Sequence, residues 1–189
     1  MRRNLFFTGL SGTGKSTVIH RALLATRILP VGYRTIRIYD DHGNVCAYVV
    51  SDVRSPEVGV QFISRKREEG WHRDYSLFCR TALAALEGAE TYDVVLMDEI
   101  GGKELLDAAF YERITELLRK PVLCIGALKD RSGMERLIKK PATNNSIYRK
   151  TYERFRSFIE ECPESEIFTV TENNREEMYK KAVSFLADA

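Results

Sequence analysis

The sequence predicts an α/β fold: a mostly parallel sheet between helices, with an added antiparallel hairpin. Three observations carry that expectation. Strand-like apolar runs alternate with segments of helical periodicity, the pattern of a parallel sheet covered by helices. A glycine-rich turn, GLSGTGKS at residues 9–16, joins the first apolar run to the first helical segment. A later apolar run, residues 92–97, delivers two acids, Asp98 and Glu99, at its C-terminal end. With 189 residues, 44% hydrophobic and 30% charged, the chain suits one domain with a sizeable core, taken as residues 1–189.

The elements follow in order. Asn4-Leu5-Phe6-Phe7-Thr8 reads as a short buried strand, and the run from Thr17 to Leu24 opens a helix. Residues 32–39 and 45–50 are two β-rich runs joined by the polar turn Asp40-Asp41-His42-Gly43-Asn44, which makes an antiparallel hairpin, an ornament on the main sheet. The polar stretch 51–73, with Arg65-Lys66-Arg67 and the lone tryptophan Trp71, is assigned no element. Phe78, Ala82, Ala85 and Leu86 recur at helical spacing.

Residues 92–97 form the next strand. The helix after it carries Leu106, Phe110, Ile114 and Leu117 on one face and stops at Lys120-Pro121. Residues 122–127 and 166–170 are two more buried strands. Asn173, with Glu176 three residues on, reads as the cap of a last helix whose inner face is Met178, Ala182, Phe185 and Leu186.

Residues 9–16 match the phosphate-binding pattern GxxxxGK[ST] in full. With glycine near 7% of residues, chance would place that pattern in a chain this long roughly once in a hundred times. Its setting between a strand and a helix N-terminus is the one the chemistry requires. Free amide groups and the positive end of the helix dipole converge there on an anion. Glycines let the backbone come close to the phosphates. Gly9, Leu10, Ser11, Gly12, Thr13, Gly14, Lys15, Ser16 and Thr17 are therefore the candidate nucleotide-binding residues.

An acidic pair after a strand is most often a helix cap or a solvated turn. Beside a phosphate loop it fits a Mg²⁺ site instead. Ser16 would bind the metal directly and Asp98 through water, while Glu99 would orient or deprotonate an attacking water. Ligands of parallel sheets bind beyond the carboxyl ends of the strands, where Gly9 and Asp98 should meet. Arg131, following a parallel strand, is a candidate cation for the developing charge, with a solvated loop arginine as the plain alternative. Asn174 and Arg175 could border the base or simply cap a helix.

Composition excludes several classes. Lys+Arg 29 against Asp+Glu 27 gives a net charge of only +2, so bulk charge does not argue for nucleic acid. Residues 129–156 nevertheless hold nine Lys/Arg against three Asp/Glu, interleaved with Tyr148, Tyr152 and Phe155. Such a segment could bind single-stranded RNA, but an amphipathic helix with its aromatics inward accounts for it better. Cys46, Cys79, Cys124 and Cys162 are far apart and read as reduced residues of a cytosolic protein. Met1-Arg2-Arg3 before Leu5-Phe6-Phe7 could mimic a signal peptide, but the stretch from Ser11 to Lys15 interrupts any apolar core. No run approaches membrane-spanning length, so no membrane role and a cytoplasmic location are expected.

Taken together, GLSGTGKST from Gly9, the hairpin GYRTIRIYDDHGNVCAYVV from Gly32, VVLMDEIGGKEL from Val94 and TVTENNREEM from Thr169 resemble the THEP1 family of P-loop nucleoside-triphosphatases, in the family's order over most of the chain. The resemblance implies Mg²⁺-dependent hydrolysis of the terminal phosphate of ATP, GTP, CTP and UTP, by a monomer, with Lys15, Ser16, Asp98 and Glu99 in the roles above. The chain departs from the family at Lys103, where methionine is usual, and at Lys129-Asp130-Arg131, where a basic pair such as His-Arg is usual. Residues 139–158, with Pro141, form a longer stretch than the family's. Two other classes compete. A small-molecule kinase shares this type of loop, but would gain nothing from a water-orienting Glu99. A GTP switch would need an Asn-Lys-x-Asp, and Ala127-Leu128-Lys129-Asp130 lacks the asparagine.

Overall fold

The computed structural model describes residues 2–66, 70–139 and 142–187. Eight strands form one sheet: β1 (Asn4–Thr8), β2 (Val31–Tyr39), β3 (Val45–Asp52), β4 (Gly59–Lys66), β5 (Gly70–Arg73), β6 (Val94–Ile100), β7 (Leu123–Leu128) and β8 (Ser165–Thr169). Their spatial order is β5-β4-β3-β2-β6-β7-β1-β8. From β2 to β8 neighbouring strands are parallel, and from β2 to β5 they are antiparallel. The described residues also form six α-helices: α1 (Lys15–Thr26), α2 (Tyr75–Ala85), α3 (Ala108–Leu117), α4 (Arg131–Ile138), α5 (Asn145–Glu161) and α6 (Arg175–Leu186).

The period-two alternation of strands sorts side chains onto two cores. Leu5 and Phe7 of β1, with Val94 and Leu96 of β6, meet α1 and α6 through Val18, Ile19, Met178 and Ala182. Phe6, Val95 and Met97 face the other way, onto Phe78 of α2, Phe110 and Ile114 of α3, and Tyr148 and Phe155 of α5. Each buried aliphatic or aromatic side chain contributes about 1.5–3 kcal/mol of transfer free energy.

The structure corrects four sequence expectations. The hairpin is not an ornament: β2 is itself a strand of the parallel sheet, paired with β6 through Val31–Val95 to Tyr33–Met97, and only its far end belongs to the hairpin. The stretch 51–73 holds β4 and β5, which extend the antiparallel part by two strands. Arg67 of the basic triplet lies outside the described residues, as does Pro141. β6 does not stop at Met97 but runs through both acids to Ile100. Asn174, rather than Asn173, occupies the cap position of α6, and its side chain makes no cap bond.

α5 settles the basic–aromatic segment. Tyr148, Tyr152, Phe155 and Ile159 are its buried stripe, so these rings are spent on the core rather than offered to bases. Arg149 pairs with Glu135 and Arg156 with Glu160 on the outer face. All four cysteines are free, with Cys79 and Cys124 buried. Among the described residues no helix is long and apolar enough to cross a membrane.

Candidate active site

At the end of β1 the chain turns through residues 9–14, and α1 starts at Lys15. The turn requires glycine at its first position. Gly9 has φ +129°, and a Cβ there would lie 2.5 Å from the carbonyl oxygen of Val170. No side chain caps the first amides of α1, which leaves them and the helix dipole available to an anion. Lys15 Nζ donates to the carbonyl oxygens of Gly9 and Leu10, each at 2.8 Å. Burial lowers the Lys15 pKa, Glu99 opposes that fall, and Lys129 and Arg37 add to it.

Ser16 Oγ donates to Asp98 Oδ1 at 2.7 Å, which joins the loop to β6. Thr35 of β2 holds the same acid from the other side, its hydroxyl donating to the Asp98 carbonyl at 3.0 Å and its amide to Oδ2 at 3.4 Å. Asp98 is 1% exposed. Burial raises its pKa, and the Ser16 hydrogen bond and His20 pull against that rise.

Glu99 occupies a bulge. Pairing with β7 steps from Asp98–Ala127 to Ile100–Leu128 and leaves Glu99 without a partner residue, at φ +81°. Strict alternation would put Ile100 on the α1–α6 face beside Leu96. The bulge returns it to the face of Met97 and re-aims Glu99 at the end of the strand. A positive φ at a non-glycine residue stores strain of order 1–3 kcal/mol, and such strain clusters at functional positions.

Lys129, just after β7, places Nζ 3.1 Å from Glu99 Oε1. The two side chains are 20% and 40% exposed. Burial works to raise the Glu99 pKa, but Lys129, Arg37 and Lys15 outweigh it and hold the carboxyl below its usual range. On Lys129, burial acts to lower the pKa, and Glu99 and Glu104 reverse it. Two tyrosines of α5 fix the flanking backbone: Tyr148 Oη donates to the Gly101 carbonyl at 2.7 Å and Tyr152 Oη to the Lys129 carbonyl at 2.9 Å.

These groups line one cleft of about 800 Å³. Lys15, Arg21, Arg34, Arg37, Lys129 and Arg136 face it against Asp98, Glu99 and Asp130, an excess of positive charge suited to a polyanion. Gly9, Ser11, Gly12, Gly14, Ser16 and Thr17 line it too. Leu10 and Thr13 sit on the outside of the loop, where Thr13 Oγ1 donates to the Leu10 carbonyl at 3.0 Å.

The remaining expected residues fall elsewhere. Arg131 is 58% exposed and turns onto α5, with Nη2 3.4 Å from Glu153 and 3.8 Å from Glu160. It is not among the cleft residues, because Asp130 caps α4 and sends the next side chain outward. Asn174 accepts from the Thr171 amide at 2.7 Å and donates to the Thr169 carbonyl at 2.8 Å, so it shapes the turn after β8. Arg175 Nε donates to the Thr13 carbonyl at 2.7 Å and braces the loop from outside the cleft.

Sequence reasoning missed Arg37 and Lys129. Arg37, on β2, donates from Nη2 to Ser11 Oγ at 3.0 Å and so lies across the phosphate loop. No motif marks it. Lys129 entered the sequence reading only within Lys129-Asp130-Arg131, a departure from the family's basic pair, with no role of its own; it directly follows β7, the parallel strand next to the one bearing the acids.

Known proteins share this design. A family profile described as NTPase matches residues 4–183. The human cancer-related nucleoside-triphosphatase is 32% identical over 136 residues, covering 64% of this chain and 72% of its own length. The nucleoside-triphosphatase THEP1 of Methanosarcina acetivorans is 26% identical over 185 residues, covering 92% of this chain and 91% of its own. In fold, the solution structure of a human cancer-related nucleoside triphosphatase superposes with a TM-score of 0.68 at 21% identity, over 99% of this chain and 98% of the other. The crystal structure of THEP1 from Aquifex aeolicus gives 0.68 at 16% identity, over 97% and 98%. By sequence and by fold, the chain belongs to the THEP1 family of P-loop nucleoside-triphosphatases.

Proposed function

We propose that this chain hydrolyses the terminal phosphate of nucleoside triphosphates by attack of water in the cleft between the glycine loop and β6, in a Mg²⁺-dependent reaction. The observation that carries the reading is the Glu99 carboxylate, set by a bulge at the phosphate end of the sheet and ion-paired with Lys129. A carboxylate so placed can orient a water and take its proton, a contribution of typically 10²–10⁴-fold.

The donor set fits Mg²⁺. Ser16 Oγ and Asp98 Oδ1 are hard oxygen donors 2.7 Å apart. Among the described residues no group of three His, Cys, Asp or Glu could hold a metal alone, so the remaining ligands would be phosphate oxygens and water. When bound, Mg²⁺ would neutralise charge on the β- and γ-phosphate oxygens. Lys15 would leave the loop carbonyls for phosphate oxygens, and the uncapped amides of α1 would bind the same group. Arg37, already lying over the loop, would meet the charge that develops on the γ-phosphoryl group. Recognition through phosphate and backbone supports broad tolerance of the base.

The test is phosphate release from ATP, GTP, CTP and UTP with Mg²⁺, comparing wild type with Glu99→Gln and Lys15→Ala. Turnover across bases, abolished by Glu99→Gln while nucleotide still binds, is the expected result. Tight binding without release, indifferent to Glu99→Gln, would overturn the reading. A monomeric, cytoplasmic enzyme is part of the proposal, and sedimentation with and without nucleotide checks the first of these.

A further inference from the structure

A second cavity, of about 290 Å³, lies on the far side of the Glu99–Lys129 pair. Glu99 and Lys129 line both cavities, so the ion pair is a wall shared with the nucleotide cleft. The other walls come from the antiparallel strands and from α2 and α4: Tyr48, Phe62, Trp71, Tyr75, Phe78 and Leu137. The Tyr48 and Trp71 rings are 6.1 Å apart and inclined at 55°, and both are only half-buried. Their π-faces are therefore not used up by the core.

One polar group in this cavity is incompletely satisfied. Glu104 is 4% exposed, and its Oε1 accepts from the amides of Gly101 at 2.8 Å and Gly102 at 2.5 Å. Its Oε2 accepts no hydrogen bond among the described residues. That leaves Oε2 for a ligand or water to satisfy. Arg73 stands at the rim.

Aromatic faces, a carboxyl group with one oxygen left over and a basic rim define one ligand chemistry: a planar ring that stacks, hydrogen-bonds through its edge, and carries a polar group outward. We propose that this cavity is an effector site for a nucleobase, taken as a nucleoside, with the ring against Trp71 and Tyr48 and its hydrogen-bonding edge on the Glu104 carboxyl. The space is at the small end of ligand pockets, about 300 Å³, which suits a ring and not a nucleoside triphosphate. Because the occupant touches Lys129 and Glu99 from behind, it changes the catalytic rate in the cleft without competing for it. The binding part of the proposal stands on the cavity alone; the effect on rate rests on the hydrolytic reading.

Trp71 is the only tryptophan of the chain, so its fluorescence reports this cavity directly. Adenosine, guanosine, cytidine and uridine are titrated separately against the full chain. At least one should give a saturable change in Trp71 emission that persists in Lys15→Ala and in the presence of inorganic triphosphate. Leu137→Phe, which fills the cavity from α4, and Ile63→Phe, which fills it from β4, should each abolish the change while leaving circular dichroism as in wild type. Silence up to millimolar nucleoside, or a response that survives in both filled variants, would overturn the site. If hydrolysis is present, the same nucleoside should shift kcat with KM unchanged; binding without that shift would remove the effector role. Failure of hydrolysis itself would appear in phosphate release and leave the Trp71 readout intact.

Discussion

Lys129 Nζ lies 3.1 Å from Glu99 Oε1, so the residue just after β7 grips the residue on which β6 bulges. In the proposed reaction the pair does two things. It keeps Glu99 ionised against the cost of burial, and it fixes the carboxylate of a residue whose backbone is strained. Removing the cation by Lys129→Met should lower kcat by about tenfold or more, at nearly constant KM. Glu99→Gln should lower it further, and the double variant should be no worse than Glu99→Gln alone. Fully additive losses in that cycle would show that the two residues act independently.

In the proposed reaction Arg37, rather than Arg131, would meet the transition-state charge. Its guanidinium crosses the phosphate loop to Ser11, whereas Arg131 is engaged by Glu153 and Glu160 of α5. Arg37→Ala should cost about 100-fold or more in kcat. Arg37→Lys, which keeps the charge and loses the planar fork, should fall between. Arg131→Ala removes a solvent-exposed ion pair and should leave kcat within about twofold of wild type. The reverse ranking in steady-state phosphate release would return Arg131 to the site.

The contrast between these arginines shows what a sequence reveals and what it hides. β1, β6 and β7 are buried on both faces, so each reads as a continuous apolar run. β5 is the edge strand and β4 its neighbour; among the described side chains of β4 only Phe62 is in the core, and β5 is four residues long, so neither has a run to recognise. Lys15, Ser16 and Asp98 were legible because a local pattern fixes their geometry. Arg37 and Lys129 reach the site across strand pairings between residues far apart in the chain, and no spacing announces that. The bulge at Glu99 was hidden as well, since nothing in Met97-Asp98-Glu99-Ile100 signals an extra residue against β7.

Gly32 tests the junction of the two halves of the sheet. It has φ +115° where β2 pairs with β6, and a Cβ there would overlap the carbonyl oxygen of Leu96. The nearest atoms are all backbone of Leu96, so no flexible side chain is there to give way. Gly32→Ala should therefore destabilise by about 3 kcal/mol or more, combining the strained φ with displacement of a core strand. Urea unfolding reads the effect directly. A loss below about 1 kcal/mol would mean that β2 can slide on β6.

Glu104 should make stability fall as pH rises. Burial pushes its carboxyl up to about 7, from 4.5 in a free chain, and Lys129 and the Gly102 amide only partly oppose this. Between those two values the native state holds a proton that the unfolded chain has released. Its contribution is thus full below pH 4.5 and is lost progressively until pH passes about 7. The gap corresponds to about 3 kcal/mol over the whole window. Glu104→Gln keeps the oxygen that accepts from Gly101 and Gly102 but does not titrate. Its stability relative to wild type should rise by up to that amount between acid and neutral pH, read as diverging urea midpoints. Parallel midpoints across the window would show that Glu104 is already ionised in the folded protein, and that its partners, Lys129 above all, outweigh its burial.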